Sequence, residues 1–595
     1  MNRMTAAEAL CHALVAEGVD VVFGHPGGAI LPFYDALYRV GAPRHVLMRH
    51  EQAAAHAADG YARATSRVGV CIATSGPGAT NLVTGLATAH MDSVPIVAIT
   101  GQVPSALRGQ DAFQETDILG ITIPVTKHGF VVERPEDLPA IVCEAFRIAR
   151  SGRPGPVLID IPKDVQNGPC VFAPAGAAGN GAVTAMAPWR PAHHTNGAAP
   201  QTNGKRPGPS HALRDAAALD AAAKLLNEAR RPVIMAGRGV VVAGMADALR
   251  ALAERADLPV VTTLLGLDAF PSTHPLALGM PGMHGTVRAC RAIQRADVVL
   301  GLGLRFDDRV TGPTARFAPG AKIIHVDIDA AAIGRTVTPA LRLVGDLRET
   351  LPALLERIAP ADRAAWWAEL REWPRDAAPA ASPGSAGAAA AGPLTARDAA
   401  RALAARIAAS GGIVATDVGQ HQMLIAQELR DAAPGSHLTS GGLGTMGYAL
   451  PAALGAALGR PDRPVWAVAG DGGFQMTLQE LATVVQERIP VRIAVLNNGY
   501  LGMVRQWQEL FYERRYSASQ IAGPDFTMLA RAYGIPARRV CHLAELADAL
   551  EWAERAAGPA LLDLRLPAEE NVFPMVPPGA ALDEIITAPD AEVAA

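Results

Sequence analysis

The chain has 595 residues, of which 50% are hydrophobic and 18% charged, and its formal net charge is −4. This composition excludes a disordered chain and is typical of a globular protein with three or four domains of about 150 residues each. A net charge so near zero gives no support to nucleic-acid binding, which usually requires a clustered basic surface.

The chain begins with MNRMTAAEALCHALVAEG, which has the pattern of an amphipathic helix and carries Glu8 and Glu17. These acids argue against a signal peptide, and the six cysteines include no CxxC pair that would indicate zinc or a disulfide framework. We therefore expect a protein of the reducing cytoplasm. Two long uncharged stretches, 70–91 and 440–459, contain turn-forming residues and predict buried turns and helix starts rather than membrane spans.

Short apolar runs alternate with helix-length stretches along the chain, for example VGVCIAT, PIVAIT, PVIMAG, KIIHVDID, PVWAVAG and VRIAVLN. Such alternation predicts an α/β fold of three doubly wound parallel-sheet domains. Two segments rich in Gly, Ala and Pro interrupt it and are predicted linkers. The predicted boundaries are a first α/β domain at 1–171, a linker at 172–211, a second domain at 212–370, a linker at 371–393, a third domain at 394–570 and a tail at 571–595.

The stretch VAGDGGF (468–474) places Asp471 among glycines, after the apolar run PVWAVAG and before a helix expected to begin near Met476. The next run, VRIAVLN, leads into Asn498. A right-handed crossover brings both strand ends to one edge of the sheet, so a carboxylate and an amide oxygen can hold Mg²⁺. The bare glycine backbone would then approach the phosphates of a ligand. Taken singly, DG and NNG are equally ordinary turns.

The pairing of GDG with NN resembles the motif of thiamine-diphosphate enzymes. The neighbouring LGMVRQWQELFYERRYS (501–517) and NVFPMVPPGAALDEII (571–586) resemble the catalytic large subunit of the acetohydroxyacid synthase (acetolactate synthase) family, over nearly all three blocks. The resemblance implies thiamine diphosphate, Mg²⁺ and FAD as cofactors. It also implies that the three domains bind, in order, the pyrimidine ring, the flavin, and the diphosphate with its metal.

The implied activity is that of a carboligase. It would decarboxylate pyruvate and condense the hydroxyethyl unit with a second 2-keto acid, giving 2-acetolactate or 2-aceto-2-hydroxybutyrate for branched-chain amino acid biosynthesis. Two alternatives stay open at this point. One is a sibling enzyme of other selectivity, such as a decarboxylase or a glyoxylate-type carboligase, and the other is a non-catalytic protein that kept the fold.

Several residues acquire thiamine-diphosphate roles by resemblance. Glu51, in RHEQAAAHAADGYARATS, matches the glutamate that activates the cofactor, although a first-turn acid favoured by the helix dipole gives the same local pattern. Met446 matches the apolar side chain that bends the cofactor, whereas a lone Met is usually core. His421 alone is equally a capping residue. The implied set is Glu51, Pro26, Gly419, Gln420, His421, Gly444, Met446, Gly470, Asp471, Gly472, Gly473, Asn498, Gly502 and Met503, with Asp471, Asn498 and the backbone carbonyl of Tyr500 on the metal.

The substrate side also follows from the resemblance. GHPGGAI (24–30), DAFQETD and IDIPKDV supply residues near the reacting centre, so Glu51, Gly28, Gln114 and Lys163 are the expected catalytic residues and Phe113 a substrate contact. Met503 and Trp507 are four residues apart and share a helix face, a spacing that by itself favours a plain core pair. In the family the matching tryptophan contacts the second substrate and favours 2-ketobutyrate.

The second block has glycine turns after its strands, which alone are weak evidence for a nucleotide. Asp327, after KIIHV, is either a ribose ligand or an ordinary strand-end acid. By resemblance, RFDDRVTG and MHG are flavin-binding segments and the arginine of SGRPGPV contacts the flavin. The implied FAD set is Arg153, Gly237, Gly239, Thr263, Leu264, Met283, His284, Gly285, Gly303, Arg305, Asp307, Arg309, Asp327 and Asp346.

The expected partners are pyruvate, 2-ketobutyrate, a second copy of the chain and a small regulatory subunit, with neither nucleic acid nor membrane. A homodimer is expected because Glu51 and Asp471 lie in different blocks, and in relatives the two come from different chains. One departure from the family is Gly473, which stands where serine is common and so removes a hydroxyl near the diphosphate.

Overall fold

The computed structural model describes residues 3–172, 215–374 and 392–588. Three six-stranded sheets dominate it, and every strand pair within them is parallel. The prediction of three doubly wound α/β domains is therefore confirmed. Of the predicted linkers at 172–211 and 371–393, residues 173–211 and 375–391 lie outside the described residues, and Arg371 still belongs to helix Ala364–Arg371.

The first sheet is built from the apolar runs of the first block, whose strands are buried because helices cover both faces. Its strands in spatial order are Arg44–Leu47, Val21–Gly24, Gly69–Ala73, Ile96–Gln102, Val157–Pro162 and His128–Val131. Its helices are Ala6–Ala16, Leu31–Val40, Glu51–Thr65, Pro77–Asn81, Val83–Met91, Ile118–Thr122, Leu138–Arg150 and Lys163–Asn167. A short antiparallel pair, Arg3–Thr5 with Pro169–Val171, joins the two ends of this domain.

The second sheet has the strand order Ala277–Gly279, Val260–Thr262, Pro232–Ala236, Val298–Leu302, Lys322–Asp327 and Leu341–Val344. Its helices are Ala216–Glu228, Arg238–Val242, Ala246–Arg255, Val287–Arg295, Asp308–Thr311, Leu347–Arg357 and Ala364–Arg371. The glycine turns noted in the sequence follow the carboxyl ends of its strands, which is the edge where ligands bind in such sheets.

The third sheet has the order His437–Thr439, Ile413–Thr416, Val465–Gly470, Val491–Asn497, Ala560–Arg565 and Ala537–Val540. Its helices are Ala396–Ala409, Gln420–Glu428, Ala449–Gly459, Asp471–Thr477, Leu481–Gln486, Gly502–Phe511, Phe526–Ala532 and Leu543–Arg555. After this domain the tail crosses to the second one, where Val576 N donates to Met283 O at 2.7 Å.

Helix Glu51–Thr65 of the first domain packs directly on helix Ala449–Gly459 of the third. A Cβ at Gly60 would lie 2.6 Å from the carbonyl carbon of Ala452, and one at Gly455 would lie 2.7 Å from that of Ala57. Glycine is therefore required at both positions, because only a residue without a Cβ lets the two helix backbones come this close. The two domains share one apolar core through this contact.

In the three described ranges, no helix is both long enough and apolar enough to cross a membrane.

Candidate functional site

A cavity of about 1270 Å³ lies where the three domains meet and is lined by residues of all three. Two of its walls hold most of the predicted site residues. The third-domain wall includes Gly419, Gln420, His421, Gly444, Met446, Gly470, Asp471, Gly472, Gly473, Asn498, Tyr500, Gly502, Met503 and Trp507. The second-domain wall, with one first-domain arginine, includes Arg153, Gly239, Thr263, Leu264, Met283, His284, Gly303, Arg305, Asp307, Arg309, Asp327 and Asp346. The predicted Gly237 and Gly285 do not line it.

Asp471 and Asn498 lie at the ends of adjacent parallel strands, as their spacing predicts. Asp471 Oδ2 accepts a 2.9 Å hydrogen bond from Gly499 N, and Asn498 Oδ1 accepts one of 3.1 Å from Tyr500 N. Burial raises the pKa of Asp471 to about 6. Two oxygen-bearing side chains thus meet at one edge of the sheet.

The helix after this strand begins at Asp471 itself, so the prediction of a start near Met476 is wrong. Gly470 has the extended conformation of an N-cap, and the Asp471 carboxylate falls in the first turn, where the helix dipole favours an acid. Gly472 and Gly473 are therefore helical residues rather than part of a preceding loop, and Gly470 ends the strand. Met476 lies at the far end of this short helix and is 52% exposed.

The glycines beside Asp471 form a cradle that side chains would fill. A Cβ at Gly472 would lie 2.6 Å from Leu501 Cδ2 and 3.6 Å from Met446 Cε, and one at Gly473 would lie 2.7 Å from Asp417 Cγ. Glycine backbone next to a carboxylate and an amide oxygen suits a diphosphate held through a hard cation. The residues present fit Mg²⁺ and a diphosphate.

Asp417 was not predicted from the sequence. Its buried carboxylate accepts hydrogen bonds from Gly447 N (2.9 Å) and Ala449 N (3.2 Å), and burial raises its pKa to about 6. It therefore fixes the turn into helix Ala449–Gly459. Asp417 directly follows the strand Ile413–Thr416, so the strand-end rule that identified Asp471 would have identified it as well.

His421 lies in the first turn of helix Gln420–Glu428, whose N-cap is Gly419, so the capping alternative does not hold. Its Nε2 accepts a 3.3 Å hydrogen bond from Gly470 N. Burial lowers the pKa of His421 to about 4, so the ring is neutral at physiological pH. The imidazole therefore ties two strand-end loops together without adding charge.

Met446 belongs to a loop, residues 440–447, that the first domain holds in place. Asp92 accepts hydrogen bonds from Gly441 N at 3.0 Å and Gly442 N at 2.7 Å. The hydroxyls of Thr88 and Thr445 lie 2.7 Å apart. Met446 is only partly buried and lines the cavity, so it is not an ordinary core methionine.

A buried charge network supports Asp92. Arg63 donates to Asp92 Oδ2 at 2.8 Å, to Asp59 Oδ1 at 2.6 Å and to the carbonyl of Thr439 at 3.0 Å. The Tyr448 hydroxyl also donates to Asp59, at 2.5 Å. Each buried charge is thus paired and hydrogen-bonded, as burial requires. The only sequence signal for Asp92 is its position as the first acid after the long uncharged stretch.

Glu51 begins helix Glu51–Thr65, as predicted, and is 9% exposed. Its Oε2 accepts a 3.0 Å hydrogen bond from Asn81 Nδ2, and its Oε1 lies 3.1 Å from the Cβ position of Gly78. Apart from Arg153, neither Glu51 nor the other predicted first-domain residues line the cavity. Those residues are Pro26, Gly28, Phe113, Gln114 and Lys163.

The first-domain residues form a separate group beside the carboxyl edge of the first sheet. Gln114 lies against Gly76, whose Cβ position is 3.0 Å from the Gln114 Cα, and Ala29 N donates to Thr74 Oγ1 at 3.2 Å. Pro26 and Gly28 are exposed, and the Phe113 ring is 88% exposed. Within one chain, therefore, the predicted catalytic residues are not brought to the predicted cofactor residues.

Trp507 and Met503 share helix Gly502–Phe511 and both line the cavity. The guanidinium carbon of Arg309 lies 5.8 Å from the centroid of the Trp507 ring, a cation–π distance. The buried Trp507 Nε1 has no hydrogen-bond partner among the described residues. The tryptophan thus lies where the two walls meet, and it also packs against a small apolar cluster of Phe573, Met575 and Ile586.

The second-domain wall has an exposed glycine backbone beside charged groups. A Cβ at Gly303 would lie 2.6 Å from Gly239 Cα, so neither position has room for a side chain. Arg153 donates to Ser93 Oγ at 2.7 Å, and burial raises the pKa of Asp327 to about 6. Both ring nitrogens of His284 are buried and lack a partner in the described ranges. The charged groups of Arg153 and Asp327 and the closely packed glycine turn fit a dinucleotide such as FAD.

Comparisons with known proteins match all three domains. The model described as "Thiamine pyrophosphate enzyme, N-terminal TPP binding domain" matches residues 4–121, the central domain of the same enzymes matches 219–354, and their C-terminal TPP binding domain matches 417–564. The chain is 47% identical to the acetolactate synthase large subunit of Corynebacterium glutamicum, over 98% of this chain and 90% of that protein. It is 47% identical to the acetolactate synthase of Mycobacterium bovis, over 98% and 92% of the two chains. Identity is 45% to the probable acetolactate synthase large subunit of Methanocaldococcus jannaschii, over 98% and 95%.

Proposed function

The chain belongs to the thiamine pyrophosphate enzymes and, among them, to the acetolactate synthase large subunits, and from this premise we propose the following assignment of its activity. It is a carboligase that decarboxylates pyruvate and joins the two-carbon unit to a second 2-keto acid. Its product is 2-acetolactate, or 2-aceto-2-hydroxybutyrate when 2-ketobutyrate is the acceptor. Both serve branched-chain amino acid biosynthesis.

The third-domain wall is the proposed binding site for the diphosphate and its Mg²⁺. Asp471, Asn498 and the backbone carbonyl of Tyr500 would coordinate the cation, while the backbone at Gly472 and Gly473 would face the phosphates. Thiamine diphosphate, when bound, supplies a nucleophilic carbon that attacks the keto group. The protein's part is to orient that carbon, exclude water and manage protons.

Met446 and Glu51 are the residues proposed to act on the organic part of the cofactor. Met446 lies at the cradle, with its methyl near the Gly472 backbone, where an apolar side chain can set the bend of a ligand. Glu51 is buried and is held by Asn81, a setting suited to exchanging a proton with a ring nitrogen. Gly28, Gln114 and Lys163 would stand around the reacting carbon on the same first-domain face.

We infer that the complete site forms between two copies of the chain. Glu51 lies outside the cavity that contains Asp471, and the first-domain face with Pro26, Gly28 and Phe113 is exposed in one chain. In a symmetric pair, one copy would contribute this face and the other its cradle, which gives two equal sites. Homodimerisation would then be a condition for activity.

The acceptor keto acid is proposed to lie between Trp507, Arg309 and the partner's Phe113. The guanidinium of Arg309 suits a carboxylate, and the broad ring of Trp507 suits the ethyl group of 2-ketobutyrate. FAD is proposed for the second-domain wall. We also propose a small regulatory partner and a cytoplasmic location. The proposed domain boundaries are at 171, 211, 370, 393 and 570.

The observation that carries the function is the junction of Asp471 and Asn498 at one sheet edge, beside a glycine cradle in the cavity. The test is to incubate purified protein with pyruvate, thiamine diphosphate and Mg²⁺ and to measure acetolactate by colorimetry after acid decarboxylation. Wild type is expected to form the product, and Asp471→Ala is expected to lose it together with cofactor binding. Absence of product from cofactor-loaded wild type would refute the assignment.

A further inference from the structure

Arg238 is a guanidinium without a partner at the inner end of the cavity. It follows the strand Pro232–Ala236 and lines the cavity wall. Among the described residues it makes no hydrogen bond and no ion pair within contact distance, and its Nε is buried and unpaired. The carboxylates of Asp59, Asp92 and Asp268 influence it only through space. An arginine held in this way is arranged to meet something that enters the cavity.

His437, whose ring hydrogen-bonds the backbone of Leu264 through one nitrogen, presents a second buried and unpaired atom at the same end. It is 4% exposed, lines the cavity, and its Nε2 has no hydrogen-bond partner within the described part of the chain. Burial lowers the pKa of His437 to about 4, and the charges of Arg63 and Arg238 act in the same direction. The ring is therefore neutral, and because its other nitrogen donates to the Leu264 backbone, the free Nε2 is a hydrogen-bond acceptor.

The order of strands locates these two groups relative to the proposed dinucleotide. From one side, the carboxyl edge of the second sheet runs past Asp346, Asp327, Gly303, Gly237 and Thr263. Arg238 follows the fourth of these strands, and His437 is close to Leu264, just after the fifth. Neighbouring strands are about 4.8 Å apart, so these groups are roughly 10–15 Å along the edge from Asp327. If the adenosine end of FAD lies at Asp327, the flavin ring at its other end lies near Arg238 and His437.

We propose that Arg238 and His437 form a polar subsite for the carbonyl and imide edge of the flavin ring. The guanidinium donates to ring carbonyl oxygens, and His437 Nε2 accepts a hydrogen bond from the imide N–H. This assignment rests on the proposed binding of FAD and adds which end of the dinucleotide lies at the inner end of the cavity. It also implies that a positive charge stands beside the ring.

The test measures flavin binding rather than turnover. Apo-protein of wild type, Arg238→Met, Arg238→Lys and His437→Phe is titrated with FAD and with riboflavin by flavin fluorescence, and ADP is measured as a competitor. Arg238→Met is expected to weaken FAD and riboflavin by about 10- to 100-fold, the loss of a charged hydrogen bond, and to leave ADP unchanged. Arg238→Lys should recover part of the loss. Arg250→Met, at an exposed arginine distant from the cavity, is the matched control.

The midpoint potential of bound flavin gives a second readout. Loss of the Arg238 charge should lower the potential, because a cation stabilises the anionic reduced ring. Unchanged FAD and riboflavin affinities with an unchanged potential would overturn the subsite, as would a loss confined to ADP. If wild type forms acetolactate but binds no FAD, the flavin assignment and the subsite fail together while the carboligase assignment stands. Thermal midpoints of the apo-proteins verify that each variant folds.

Discussion

The carboxylate of Asp92, at the end of a first-domain helix, accepts a 2.7 Å hydrogen bond from the backbone N–H of Gly442 in the third domain. The loop that begins there also carries Met446. The position of a proposed cofactor contact is therefore set by a residue from another domain of the same chain.

Replacement of Asp92 by asparagine should disturb this loop. The asparagine NH₂ group would face either the N–H groups of Gly441 and Gly442 or the guanidinium of Arg63, all of which are donors. At least one of these buried donors would lose its acceptor. We expect the KM for thiamine diphosphate to rise about tenfold or more, equivalent to roughly 1.5 kcal/mol, in steady-state assays at saturating pyruvate. Asp247→Asn, at a fully solvated acid, is the control. An unchanged KM would show that the loop holds its place without Asp92.

Gly473→Ala should damage the cradle, because the added Cβ would lie 2.7 Å from Asp417 Cγ and so displace the carboxylate that binds Gly447 and Ala449. The serine common at this position in the family would meet the same obstacle here. We expect at least a tenfold weaker cofactor affinity by calorimetry, in line with the cost of overpacking. Gly558→Ala, where nothing lies within 4 Å of the new Cβ, should be neutral. Equal behaviour of the two variants would contradict the steric argument.

Two inactive variants should complement each other if the site is shared between copies. Glu51→Gln should retain cofactor but slow turnover at least about 100-fold, as removal of a proton-transfer group does. Asp471→Ala should fail to bind the cofactor. After unfolding and refolding together, mixed dimers would contain one intact site, giving about a quarter of wild-type activity. Differently tagged chains verify that mixed dimers form. If activity does not recover in those dimers, both residues of each site belong to one chain.

Trp507→Leu should alter the choice of acceptor. Leucine removes the aromatic face that meets Arg309. The contact area lost is larger for the ethyl group of 2-ketobutyrate than for the methyl group of pyruvate. We expect the preference for 2-ketobutyrate over pyruvate to fall by about tenfold, with little change in pyruvate consumption. Competition assays with both acceptors give the ratio directly. Phe511→Leu, at the neighbouring ring, should leave the ratio near that of wild type.

Asp160 should make stability depend on pH. It is buried between Thr100 and Gln102, which donate to it at 2.7 and 3.0 Å, and burial raises its pKa from 3.8 to about 6. A pKa raised on folding stabilises the folded state below the unfolded value, and this contribution is lost as the pH rises through about 6. The apparent free energy of unfolding of wild type minus that of Asp160→Asn should fall by about 1.4 kcal/mol between about pH 5 and pH 7. A difference independent of pH would contradict this.

The fold was predictable because buried parallel strands are near-continuous apolar runs that the sequence displays openly. The junction of Asp471 and Asn498 was predictable because a crossover fixes which strand ends meet. The start of the helix at Asp471 was not predictable, because consecutive glycines favour a loop, whereas an extended Gly470 lets the helix begin at once. Asp92 and Arg63 also escaped prediction, since their partners are far away in the chain and no spacing rule connects them.

The glycines that let helix Glu51–Thr65 and helix Ala449–Gly459 touch backbone to backbone also restrict how this architecture can be modified. A transplanted third domain would need a glycine opposite Ala57 and would have to bring its own backbone as close to Gly60 as Ala452 does, whatever the quality of its catalytic loops. Chimeras between relatives should therefore succeed when both helices are exchanged as a matched pair and fail when the crossover point separates them.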